Sequence, residues 1–248
     1  MAGDHQSATG FLVGTLLSLP GRIADATVRR PPPYRWVLAR TRTPEAEAAR
    51  AAERAVVEGL IARLGAVDGV VPLVTQVDDR RVHPGLGLDP GRRLELICQL
   101  AATAYFATAL EIPELLRRIE AAGVADWGAG LHHDPRRPHP RGSVADALSY
   151  YRHDGRHPDG SPRDAPSLYA LGATLSWDEP GRPPVREPNA TMFNSSFSQY
   201  TRDPAAAGLV EAARAEHGLV LRLSRSGAGG PQHPGYFTVP RGWRRRGR

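Results

Sequence analysis

The sequence predicts an α+β domain over residues 1–248: a mostly antiparallel or mixed sheet with helices packed on one face. Three observations carry this expectation. Apolar runs of period two recur between Pro- and Gly-rich punctuation, X-Pro steps open several helical stretches, and strand-like segments dominate the last third. Neither end of the chain offers enough apolar surface to stand alone, so both are expected to share one sheet.

The first element follows the stiff run Arg29-Arg30-Pro31-Pro32-Pro33. Tyr34 to Thr41 reads as a strand, with Trp36 and Leu38 on one side and Val37 and Ala39 on the other. Thr43-Pro44 is an N-cap followed by a first-turn proline, and Glu45 and Glu47 suit the positive end of the helix dipole. That helix runs to Leu64 and stops at Gly65, and Val70 to Val77 reads as a second strand. Residues 34–77 are therefore expected to form a βαβ unit.

Asp89-Pro90 is expected to open a helix with Leu94, Ile97, Cys98, Ala101 and Tyr105 along its inner face, and Pro113 to open another that ends at Gly123. Together they predict an αα-hairpin over 89–123. From 127 to 166 the composition turns to His, Pro, Asp, Gly and Arg, an irregular segment in which Ser143 caps one short helix carrying Tyr150 and Tyr151. Residues 168–239 read as β-rich with one helix after Asp203-Pro204, and 241–248 as a basic tail.

Composition narrows the setting. The lone cysteine, Cys98, excludes an intrachain disulfide framework and fits a reducing compartment. Gly10 to Pro20 is apolar but too short to cross a bilayer, which needs roughly 20 residues, and no basic residue precedes it. A short buried helix and a cytoplasmic location are expected, with no membrane span. The net charge of +6 rests on arginine alone, since the chain has no lysine and only two asparagines, Asn189 and Asn194. Codon bias in a high-GC bacterial genome accounts for that pattern, so the charge is weak evidence for nucleic acid.

Three functional readings follow. The first is a non-catalytic interaction or accessory protein whose partner is another protein, because each catalytic motif fails at its most diagnostic residue. Ser195, Ser196 and Ser198 lack a GxSxG elbow, the glycines at 227–230 open no helix, and Cys98 sits on an apolar stripe. The second is a metal- or histidine-dependent hydrolase using the 132–159 region, where His132, His133, His139, His153, Asp154, His157 and Asp159 are candidate ligands for a divalent metal. Their spacing matches no metal signature, and a polar surface loop is the plainer expectation, so no cofactor is predicted. The third is a nucleic-acid accessory factor using Arg241, Trp243, Arg244, Arg245, Arg246 and Arg248 of the tail. Whether the chain is an enzyme is left open by the sequence.

Overall fold

The computed structural model describes residues 34–82, 94–129, 139–157, 159–170, 172–180, 182–187, 198–225 and 235–240. Helices α1 (Tyr34–Thr41) and α2 (Pro44–Gly65) lead into strands β1 (Val71–Val82) and β2 (Leu94–Thr108). Helices α3 (Ile112–Ala121) and α4 (Val144–Arg152) follow, then strands β3 (Leu168–Ala170), β4 (Ala173–Trp177) and β5 (Ser198–Asp203). Helix α5 (Leu209–His217) and strands β6 (Leu219–Arg225) and β7 (Phe237–Pro240) complete the order.

All seven strands join one antiparallel sheet in the order β3-β4-β6-β2-β1-β5, with β7 added to β2. Strand β2 is its spine. At 15 residues it holds β1 along one side, and β6 and β7 end to end along the other. The two ends of the chain therefore pair directly, as expected: β1 from the first part bonds β5 from the last. The α+β expectation holds.

Alternation along β2 decides where the core sits. Leu96, Cys98, Leu100, Ala102, Ala104 and Phe106 are all buried and pack beneath α1, α2 and α3. Tyr105 points the other way, and with Val74 and Val220 it is covered by Val210 of α5. Helices therefore occupy both faces. The expectation of one covered face is corrected because the sheet also carries apolar residues at alternate positions, and those need cover too.

Two predicted elements change type. Tyr34–Thr41 is a helix, so residues 34–77 form α-α-β and not βαβ. Strand propensity of Tyr, Trp and Val yields there to packing, since Val37 seats against Leu96, Cys98 and Val239. Leu94–Thr108 is a strand and only its successor α3 is helical, so 89–123 is not an αα-hairpin. A central strand buried on both faces reads as a nearly continuous apolar run, which fits a helical stripe as well as an alternating one. The helix starts are otherwise chemical. Thr43 Oγ1 accepts from the Ala46 N–H at 3.3 Å, and Ser143 Oγ accepts from the Asp146 N–H at 3.1 Å. Gly208, not Asp203-Pro204, precedes the last helix.

Cys98 stays buried after its change of element, with no exposed surface. Burial pushes its thiol up to about 11, with Arg81 opposing and Asp79 adding to the rise. The unfolded thiol ionises near its ordinary value of 9.0 while the folded one keeps its proton. This contribution to stability is complete below pH 9 and is lost as pH rises through about 11. A disulfide-exchange reagent is expected to label the native protein slowly at neutral pH. Cys98→Ser is expected to lower stability by about 1 to 3 kcal/mol by burying a hydroxyl, and to flatten the alkaline fall; fast labelling of native protein would contradict this.

Candidate functional site

A groove of about 540 Å³ opens where β2 and β4 end and β6 begins, between the start of α3, the loop after β4 and the end of α5. Its volume is in the range of small-ligand sites. Leu110, Ile112 and Leu219 form an apolar wall, while Glu179, Arg182 and His217 bring polar groups.

Each carboxylate at the end of β4 has a separate role. Asp178 is a staple: its Oδ2 takes Arg214 Nε at 2.8 Å and the Val220 N–H at 3.2 Å, and its Oδ1 takes the Val185 N–H at 2.7 Å. It ties loop, helix and strand together, and Arg214 also donates to the Val185 carbonyl. Glu179 turns to α4 instead. Its Oε2 accepts from the Tyr151 hydroxyl and from Trp177 Nε1 at 3.2 Å, and the same indole N–H donates to the Tyr151 oxygen at 2.7 Å.

This triangle is preorganised. Trp177 is only 6% exposed, and Tyr151 packs edge-on against Tyr150 with ring centroids 5.1 Å apart. Burial, then the bond to Glu179, raises the Tyr151 phenol, so it stays protonated as a donor. Both bonds to Glu179 land on Oε2. Among the described residues Oε1 has no partner, and it belongs to a side chain on the groove wall. The end of α5 at His217 and Gly218 also lines the groove, and a helix C-terminus carries partial negative charge.

The described residues among those singled out from sequence lie elsewhere. His139 is half-buried ahead of α4, His153 is the exposed C-cap of α4, and Asp154 is exposed with a left-handed φ of 49°. His157 is half-buried, with its Nδ1 enclosed and unbonded. Asp159 is exposed and accepts from the Ser161 N–H at 2.9 Å and hydroxyl at 2.6 Å, bonds that hold its carboxyl below the ordinary range. His132 and His133 fall outside the described residues, as does the whole tail from Arg241 to Arg248. Among the described residues no three His, Cys, Asp or Glu side chains are placed to hold a metal ion. Local bonds use this loop's polar groups: Arg163 N–H reaches the Gly155 carbonyl at 2.8 Å and Gly160 N–H the His157 carbonyl at 2.9 Å.

The groove leaves no local motif in the sequence. Asp178 and Glu179 sit in DEPGRPPVREP, which reads as a Pro-rich turn. The usable signal was an acidic pair placed directly after a strand that ends in tryptophan.

No protein family, curated protein or solved structure matches this chain.

Proposed function

We propose that the chain is a non-catalytic interaction protein, and that the groove receives a basic side chain presented by a protein partner. One observation carries this reading: the Glu179 carboxylate is fixed through one oxygen by Tyr151 and Trp177, while the other is left for a donor from outside. A guanidinium or ammonium group suits that oxygen. Its alkyl stem suits the wall of Leu110, Ile112 and Leu219, and the α5 terminus adds favourable negative potential.

Burial and the bond to Glu179 keep the Tyr151 hydroxyl protonated, which suits a fixed donor that positions the carboxylate for binding. A reducing cellular interior is part of the same reading, since Cys98 is a free thiol. Among the described residues no helix is long and apolar enough to cross a membrane.

N-acetyl-arginine amide is the probe, with N-acetyl-glutamic acid amide as its opposite in charge. Calorimetric titration should give saturable binding of the arginine probe and none of the glutamate probe. Glu179→Gln keeps the shape and removes the charge, and a charge-assisted bond of this kind is worth roughly 1.5 to 3 kcal/mol, so affinity should fall about tenfold or more. Equal binding of both probes, or full affinity in the variant, would sink the proposal.

A further inference from the structure

We propose that Arg81, beside Cys98 at the β1–β2 pairing, is the anchor of a second site that binds a small free oxyanion of phosphate or sulfate type. Arg81 and Cys98 are direct neighbours in the register, and both lie on the face beneath α1 and α2. Arg81 is only 9% exposed, and its Nε is enclosed without an acceptor among the described residues. An enclosed N–H without an acceptor is disfavoured, and an oxyanion reaching this edge of the guanidinium would satisfy it.

The surrounding groups are already committed to one another. Asp79 is the nearest carboxylate on the same face of β1, two residues away. Its Oδ2 pairs with Arg50 Nε at 2.9 Å, and its Oδ1 accepts from the Tyr236 hydroxyl at 2.8 Å. Arg50 takes Glu47 as well, at 2.9 Å, and the Cys98 carbonyl accepts the Tyr236 N–H at 2.9 Å. Asp79 is thus committed to Arg50 and Tyr236, and among the described residues the Arg81 Nε is left without an acceptor. The chain closes tightly here: a Cβ on Gly235 would lie 2.2 Å from the Cys98 carbonyl oxygen. Depth selects a small ion over a polymer, and the planar fork of donors selects an oxyanion that takes two bonds over a spherical halide. The thiol of Cys98 is a weak donor at the same place. The groove plays no part in this argument, so either site can fail alone.

Thermal unfolding at constant ionic strength, with sodium chloride replaced stepwise by sodium phosphate, reads the site. Wild-type Tm should rise saturably, on the order of 2 to 4 °C. Arg80→Gln, which alters the opposite face of β1, should keep that rise, and Arg81→Met should lose it. No phosphate-specific rise in the wild type, or an equal rise in Arg81→Met, would overturn the proposal. If Arg81→Met does not fold, phosphorus NMR of phosphate with wild-type protein decides: saturable line broadening supports the site, and an unchanged line width contradicts it.

Discussion

Replacing Asp146 with alanine is expected to destabilise the protein by about 3 to 5 kcal/mol, the range for breaking a buried ion pair on one side only. Asp146 and Arg163 meet at 2.7 Å with both side chains 2% exposed. Arg163 also bonds the Asp146 carbonyl at 3.3 Å and lies over the Tyr150 ring, 5.8 Å from its centroid. This pair ties Arg163 to α4, beside the Gly155 N–H bond to the Tyr150 carbonyl at 2.9 Å. Without Asp146 the guanidinium would remain buried beside a partly satisfied network, since its Nε already has no acceptor. The midpoint of urea denaturation should fall accordingly. The double change Asp146→Leu with Arg163→Met should recover most of the loss, because apolar groups of similar volume avoid the desolvation penalty altogether. A double variant no more stable than the single one would show that the pair itself, and not the uncompensated charge, sets the effect.

Phe106→Ala is expected to cost about 3 to 5 kcal/mol, through lost transfer energy and the cavity left behind. Phe106 is 1% exposed on the covered face of β2, opposite Leu221 of β6 and Pro72 of β1. It belongs to the main core with Leu64 of α2, Leu115 and Ile119 of α3, and Leu175 of β4, so three neighbouring elements would lose packing at once. Val56→Ala provides the contrast: at 43% exposure on α2, it should change stability by less than about 0.5 kcal/mol. Chemical denaturation of both variants checks the pair. A small loss for Phe106→Ala would mean that the face assignment of β2 is wrong.

What the sequence made legible divides along a physical line. Caps were readable because their chemistry is local: Thr43 and Ser143 bond backbone donors three residues away, and no tertiary contact is needed to recognise them. Strand β6 was readable too, because Leu219, Leu221 and Leu223 alternate with Val220 and Arg222 at a sheet position with one apolar and one more polar side. Strand β2 was not, since Leu-Glu-Leu-Ile-Cys-Gln-Leu satisfies both periods and only its neighbours β1, β6 and β7 choose between them. Helix α1 follows a related rule: eight residues whose one buried apolar side chain, among those described, is Val37 take their form from what they pack against. The groove depends on contacts between distant residues. Tyr151 and Glu179 are 28 positions apart, and Arg214 lies 36 from Asp178, so no local motif records either contact. The histidines stood out by composition, and composition carries no information on convergence.

Intermolecular NOE measurement tests the groove assignment most directly. With N-acetyl-arginine amide bound to the wild-type protein, the account predicts contacts from the ligand's side-chain methylenes to the methyl groups of Leu110, Ile112 and Leu219. The ligand's guanidinium protons should lie nearest the Glu179 and Trp177 side chains. Contacts confined to other surfaces, with these methyls unmoved at saturation, would contradict it.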